Sequence, residues 1–132
     1  FFDRNKTLWS AWMIQWGDFA FYFAGDAGYS SDFKETVKKL GKPDLAAIPI
    51  GAYEPRDFMK SAHINPEEAV KVFSDLGAKY AIGIHWGTFK LTLEPMNEPP
   101  KRLKKALKAA GLDSKTFRTL KHGEMWPEVL PN

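Results

Sequence analysis

Two side chains that could bind a metal, Asp26 and His85, follow strongly apolar stretches of the chain. Directly after a buried strand, a carboxylate such as Asp26 is costly unless it is paired, hydrogen-bonded or bound to a cation. A neutral imidazole at the carboxyl edge of a strand suits zinc, and open α/β sheets bind ligands at that edge. Taken alone, Asp26 could belong to an ordinary turn and His85 could be a hydrogen-bonded core histidine. Because both residues follow strands, we favour a shared metal site.

His63 lies in an irregular loop just before a helix signal, where a histidine commonly serves only as a surface or capping group. The functional alternative is a hydrogen bond to a substrate phosphate or leaving group, a role that a titratable imidazole fills near neutral pH. His122 is better suited to supporting a metal ligand than to binding the metal itself. The chain has 3 histidines and no cysteine, which excludes a cysteine nucleophile, a disulfide framework and a zinc knuckle.

The composition indicates a globular chain with a modest excess of basic residues. Hydrophobic residues make up 44% of the 132 residues, and the formal net charge is only +3. We therefore expect no nucleic-acid partner. Basic residues concentrate at 101–108, where helical spacing predicts a solvated face, with contact to an anionic headgroup or phosphate as the alternative.

Several reaction classes and locations are excluded by missing motifs. The sequence has no nucleotide-binding loop, no serine-hydrolase elbow and no His-Glu-x-x-His pair. No apolar run approaches the roughly 20 residues that a membrane span needs, and no secretory signal opens the chain. We expect a cytoplasmic protein, with peripheral membrane contact as an open alternative.

The first third of the chain predicts a β-hairpin and a helix. Apolar residues at 7–14 and aromatic residues at 19–24 flank turn residues at 15–18. Ser30 or Ser31 is then placed to cap a helix that ends at Gly41. The buried face of this helix is predicted to consist of Phe33, Val37 and Leu40.

The rest of the chain alternates strand and helix signals, which predicts an α/β fold. Residues 44–50 form a short, almost wholly apolar run, typical of a strand covered on both faces. An irregular loop follows at 51–64. Asn65, Pro66 and Glu68 then have the order of a capping box at the start of a helix that ends at Gly77.

The remaining residues predict another strand followed by a helix, and then a final strand. Residues 80–84 predict another buried strand, 100–110 predict a helix whose apolar side includes Ala110, and 117–120 predict a final strand. The tail, with Pro127 and Pro131, is predicted to be loose.

Four ordered blocks of sequence resemble the N-acyl-phosphatidylethanolamine-hydrolysing phospholipase D family, whose members have the metallo-β-lactamase fold. The resemblance covers nearly the whole chain, and its blocks are 23–29, 44–56, 63–69 and 84–89. It implies that residues 1–132 form the C-terminal half of a four-layer αββα sandwich.

The resemblance also implies roles for four side chains. Two zinc ions would lie at the edge of the sandwich, with Asp26 bridging them and His85 binding one of them. His63 would lie near the substrate as a catalytic and substrate-binding residue. Tyr53 belongs to the same matched loop and would contact the substrate too.

The family's main ligand motif, His-x-His-x-Asp-His, does not occur in this chain. With 3 histidines in total, the chain cannot complete a two-zinc site of ordinary coordination. The chain starts at Phe1, and residues 1–6 look like a hairpin entered midway. We therefore expect a truncated or processed piece that needs a complementary N-terminal half or second chain, with a homo-oligomer as a further option.

Zinc-dependent hydrolysis of phosphodiesters in N-acyl-phosphatidylethanolamine-like phospholipids is the function that the resemblance favours. One alternative keeps the metals and opens lactones, because substrate choice in a fold resides in its loops. A noncatalytic fragment or assembly subunit is the other alternative, since a half-sandwich would expose core that another polypeptide should cover. A lipid enzyme should show an exposed apolar surface.

Overall fold

The computed structural model describes residues 9–129, and within them five strands form one sheet in the order β1-β2-β3-β4-β5. The first pair of strands is antiparallel, and the other three pairs are parallel. The strands are β1 (Trp12–Trp16), β2 (Phe19–Phe23), β3 (Leu45–Pro49), β4 (Tyr80–Ile84) and β5 (Phe117–Thr119). The predicted α/β class is confirmed.

Four α-helices alternate with the strands in this part of the chain. They are α1 (Asp32–Leu40), α2 (Arg56–Met59), α3 (Pro66–Leu76) and α4 (Glu98–Ala109). A 3₁₀ turn at Pro127–Val129 lies in the tail that was predicted to be loose. The short helix α2 lies in the segment predicted as an irregular loop, because four residues carry too little periodicity to be recognised in a sequence.

The core lies between one face of the sheet and the helices. Tyr22, Ile48 and Phe117 point into it from three different strands. Helix α3 contributes Val72, Phe73 and Leu76, and α4 contributes Leu103 and Leu107. Strand β3 is buried along its whole length, as its unbroken apolar run predicts.

The opposite face of the β1–β2 hairpin is apolar and open to solvent. In the hairpin register Trp12 pairs with Phe23, Ile14 with Phe21, and Trp16 with Phe19, so these six side chains share one face. Trp16 is 77% exposed and Trp12 62%. Contiguous exposed apolar surface is typical of binding faces.

Two predictions about helix faces need correction, and two others concern residues outside the described part of the chain. Leu40 is 53% exposed, so the buried face of α1 ends with Val37, because the last helical turn extends beyond the edge of the core. Ala110 is exposed too, since α4 ends at Ala109. The predictions for residues 1–8 and for Pro131 fall outside the described residues.

The capping box at the start of α3 is confirmed. The Asn65 side chain accepts a hydrogen bond from the Glu68 main-chain amide at 2.8 Å, and the Glu68 carboxylate accepts one from the Asn65 amide at 3.1 Å. Pro66 occupies the first turn, and Gly77 ends the helix with a left-handed φ of 57°. Local sequence therefore sets both ends of this helix.

We expect Asn65→Ala to lower the free energy of unfolding by about 1 kcal/mol, because it removes a helix-capping hydrogen bond. Ser31→Ala is the matched control, since Ser31 precedes α1 without a side-chain capping bond. Its effect should stay within about 0.5 kcal/mol. Urea unfolding of both variants measures the difference, and equal losses would contradict the capping role of Asn65.

Candidate metal centre

Asp26 and His85 meet at the carboxyl edge of the sheet. Asp26 follows β2, and His85 is the first residue after β4. Their side chains approach to 3.3 Å between Asp26 Oδ1 and His85 Nε2. The Asp26 side chain is 61% exposed and that of His85 is 25% exposed. The structure thus brings together the two residues that the sequence assigned to one metal site.

His63 completes a cluster with these two residues. One ligand atom from each of Asp26, His63 and His85 lies within 4.8 Å of the others. The rings of His63 and His85 stack, with centroids 5.3 Å apart and planes inclined by 27°. His63 therefore lies beside the residues predicted to hold the metal, close enough to face a molecule bound there.

The loop after β2 positions the segment that carries His63. The Ile64 amide donates a hydrogen bond to the Ala27 carbonyl at 2.9 Å, one residue beyond Asp26. Gly28 lies so close to this segment that a Cβ built on it would be 2.4 Å from the Ser61 carbonyl oxygen. Only glycine permits this approach of the two loops.

His85 has an unusual main-chain conformation for a residue with a side chain. Its φ is 59°, in the left-handed region, where non-glycine residues are uncommon and the conformation costs about 1 kcal/mol or more. Gly51, which follows β3 by two residues, lies against it: a Cβ on Gly51 would be 2.2 Å from the His85 carbonyl oxygen. The small size of Gly51 therefore allows the turn that presents His85.

The donors in this cluster fit a zinc ion. Two ligands about 2.1 Å from a tetrahedral zinc lie about 3.4 Å apart, which agrees with the 3.3 Å between Asp26 Oδ1 and His85 Nε2. The Nδ1 atoms of His63 and His85 are buried, and neither has a hydrogen-bond partner among residues 9–129. Buried polar atoms in this state are costly, so the site is suited to a further ligand.

The charge state of His63 follows from its surroundings. Burial lowers the pKa of His63 below its usual value, Asp26 opposes this shift, and His85 reinforces it. The net direction is downward, which favours the neutral imidazole at neutral pH. A neutral imidazole can donate one hydrogen bond and accept another.

Glu94 anchors the loop after β3, a role that the sequence did not reveal. Its buried carboxylate accepts hydrogen bonds from the amides of Ala52 at 2.7 Å, Tyr53 at 3.3 Å and Glu54 at 3.1 Å. Burial alone would raise the pKa of Glu94, but the hydrogen bonds from the Thr92 hydroxyl and main-chain amides lower it below its usual value. A single Glu in a proline-containing loop carries no local signal of such contacts.

Tyr53 and His122 have partners outside this cluster. Tyr53 is fully buried, and its hydroxyl donates to Glu98 at 2.7 Å, so in this conformation its side chain offers no surface to a substrate. Substrate binding by Tyr53 stays an untested prediction. His122 is exposed and contacts the Thr88 hydroxyl at 3.2 Å, rather than any residue of the cluster.

Comparison with known proteins identifies the family. Residues 1–86 match the family described as the β-lactamase superfamily domain, and the chain belongs to it. The chain is 50% identical over 127 residues to the N-acyl-phosphatidylethanolamine-hydrolyzing phospholipase D 1 of Caenorhabditis elegans, covering 94% of this chain and 36% of that protein. The resemblance inferred from the four sequence blocks is confirmed.

More distant proteins agree with this result. The mitochondrial N-acyl-phosphatidylethanolamine-hydrolyzing phospholipase D of Saccharomyces cerevisiae is 36% identical over 118 residues, covering 87% of this chain and 25% of that protein. The crystal structure of the metallo-β-lactamase fold protein YhfI of Bacillus subtilis superposes with a TM-score of 0.63 at 22% identity, covering 88% of this chain and 43% of that one. The predicted metallo-β-lactamase fold is confirmed.

The chain spans only a quarter to about a third of the length of these two curated relatives. Metal-dependent hydrolases are among the other matched proteins. None of the helices in the described part of the chain is long and apolar enough to cross a membrane.

We expect Gly51→Ala to weaken zinc binding at least tenfold, because the added methyl group forces the His85 main chain away from Asp26. Gly17→Ala is the control: Gly17 lies in the hairpin turn with φ of 57° and has open space around its Cα, so the added methyl group carries a conformational cost there, which it does not at Gly51, but touches nothing near the site. Calorimetric titration with zinc compares the variants, and circular dichroism verifies folding. Unchanged affinity in the folded Gly51 variant would show that His85 does not need this contact.

Proposed function

We propose that this chain forms part of a zinc-dependent phosphodiesterase of the phospholipase D type. Its substrates would be N-acyl-phosphatidylethanolamine-like phospholipids, and its products a phosphatidic acid and an N-acylethanolamine. The observation that carries the proposal is the convergence of Asp26, His63 and His85 at one edge of the sheet. The 50% identity to a phospholipase of this specificity supports the choice of substrate.

In this proposal Asp26 and His85 would hold two zinc ions, with the Asp26 carboxylate shared between them. Bound zinc supplies Lewis-acid polarisation of the phosphoryl oxygens and a nucleophilic water at neutral pH. The Asp26 side chain is 61% exposed, so ions from solvent can reach its carboxylate. Its negative charge offsets the charge of a cation held next to His85.

His63 acts on the substrate in this proposal. A neutral imidazole beside the metal ligands can donate a hydrogen bond to a phosphoryl oxygen, or to the ester oxygen that leaves with the N-acylethanolamine. Its ring lies against that of His85, and would therefore be next to a phosphate bound at the metal ligands. Donation to an oxygen that gains negative charge stabilises the transition state more than the ground state.

Apolar surface beside His85 supports a lipid substrate. His85, Trp86, Phe89 and Leu91 are among the residues that line a cavity of about 270 Å³. Phe89 is 75% exposed and Leu91 69%. An apolar cavity next to the metal ligands would accept part of an acyl chain while the phosphate lies over the ligands.

The remaining metal ligands would come from a complementary N-terminal half that carries His-x-His-x-Asp-His. The exposed apolar face of the β1–β2 hairpin supports this partner, because a second sheet packed on that face would bury it as in a sandwich. The proposal therefore assigns residues 1–132 to the C-terminal half of the domain.

The test uses the longer protein that joins this chain to its N-terminal half. It should bind about two zinc ions by elemental analysis and hydrolyse N-acyl-phosphatidylethanolamine in mixed micelles. Asp26→Ala should lose zinc and reduce turnover at least a thousandfold, since the bridging ligand is gone. Glu35→Ala, which removes an exposed carboxylate paired with Lys38 on α1, should retain both properties.

Other outcomes would decide against the proposal. Cleavage of lactones without cleavage of the phospholipid would move the chain to a lactonase. Full zinc content in Asp26→Ala would contradict the bridging role. A stable, metal-free protein without hydrolytic activity would support a noncatalytic assembly role.

We expect His63→Ala to lower kcat roughly a hundredfold while the zinc content stays unchanged, because the side chain acts on substrate rather than on metal. His122→Ala is the matched control, as the exposed His122 contacts Thr88 instead of the cluster. Steady-state kinetics and elemental analysis of the longer protein measure both effects. Loss of zinc in His63→Ala would place His63 among the metal ligands.

A further inference from the structure

We infer that Arg56 and Glu68 are positioning residues that aim the His63 imidazole at the substrate. The Arg56 guanidinium donates from Nη1 to the His63 carbonyl oxygen at 2.7 Å. Its Nη2 pairs with the Glu68 carboxylate. The consequence for catalysis rests on the proposed function of His63, whereas the consequence for the geometry of the site does not.

The His63 main chain is held from three directions. Its amide donates to the Met59 carbonyl in α2 at 2.8 Å, and the next amide, of Ile64, donates to Ala27 at 2.9 Å. Arg56 occupies the third side through the His63 carbonyl. The residue is thereby connected to α2, to the loop of Asp26 and to the first turn of α3.

The His63 side chain lacks comparable support. Its Nδ1 is buried without a hydrogen-bond partner among the described residues, and its one ring neighbour is His85, through stacking. The direction of the imidazole is therefore set by the main chain to which it is attached. A shift of that main chain moves the ring relative to Asp26 and His85.

The Glu68 carboxylate takes part in both the helix cap of α3 and the ion pair with Arg56. Its Oε2 accepts from the Asn65 amide at 3.1 Å as part of the capping box and also pairs with Arg56. Both side chains are largely withdrawn from solvent, with Arg56 22% and Glu68 15% exposed. In this partly desolvated setting the charged hydrogen bonds are stronger than at the surface.

An arginine is needed at position 56 because two acceptors must be reached at once. The planar guanidinium presents Nη1 and Nη2 in a fixed fork, which matches the His63 carbonyl and the Glu68 carboxylate. A lysine in this position carries the charge but offers a single flexible ammonium group. A positive charge without the paired nitrogens of the guanidinium therefore cannot make both contacts.

Nuclear Overhauser contacts between ring protons test the geometry in the zinc-free chain. The stacked rings of His63 and His85 should give a contact, and the His63→Gln and His85→Gln variants assign its two signals. Arg56→Met and Arg56→Lys should both weaken this contact at least twofold. Arg118→Met is the matched control, because it removes an arginine that pairs with Glu124 away from the site, and it should leave the contact unchanged.

Kinetics of the longer zinc-loaded protein test the consequence for catalysis. Arg56→Met should lower kcat roughly ten- to hundredfold with little change in KM or zinc content, because misplacing a catalytic group by about 1 Å has an effect of this size. Glu68→Gln keeps a side-chain oxygen that can accept from Arg56, so its kcat should lie between that of Arg56→Met and the unaltered protein. A purely structural role would instead lower stability and zinc content together.

An undiminished ring contact in a folded Arg56→Met or Arg56→Lys variant would overturn the inference. So would an unchanged kcat with intact phospholipid hydrolysis. Because the ring contact is measured without zinc or substrate, it decides the positioning role even where the longer protein shows no phospholipase activity. Failure of the proposed function is thus distinct from failure of this inference.

Discussion

The parallel pairing of β2, β3 and β4 is the constraint on which the site depends. Parallel strands deliver all their carboxyl ends to one edge of a sheet. The pairing continues just beyond the strands, since Ala24 donates to Ala47 and Ile50 to Ile84, both at 3.0 Å. The loops that carry Asp26 and Gly51, and the turn at His85, therefore leave the sheet side by side. The Asp26 carboxylate and the His85 imidazole converge because their strands are aligned, and His63 reaches them from the loop before α3.

Close main-chain contacts then convert this alignment into a defined site. Gly28 lies against Ser61, and Gly51 lies against His85, each at a distance that a side chain would not allow. These contacts bring the loops together, and Glu94 fixes the loop after β3 through its hydrogen bonds to main-chain amides. The positive φ of His85 is stabilised by such surroundings rather than by its own preference.

The two faces of the sheet have different surroundings. The face toward α1, α3 and α4 is a packed core, in which Ile48 and Leu76 are fully buried. On the opposite face the hairpin exposes tryptophan and phenylalanine side chains, although these are residues that normally lie in a core or an interface. A similar contrast appears in the candidate metal centre, where Asp26 is open to solvent while the histidine Nδ1 atoms are buried. Both features fit a domain of which this chain supplies one side.

The sequence by itself determined the elements whose signals are local. Asn65, Pro66 and Glu68 define the start of α3, and apolar runs followed by a polar residue mark Asp26 and His85 at strand ends. Tertiary structure decided which residues meet: His63 joins the cluster because the amide of the next residue, Ile64, donates a hydrogen bond to the distant Ala27 carbonyl. It also decided that Tyr53 is buried against Glu98. The physical reason is the distance along the chain over which each interaction acts. Helix capping and hydrophobic periodicity involve residues a few positions apart, so the sequence shows them. The path of a loop depends on residues far apart in sequence, which only the folded chain brings within hydrogen-bond distance.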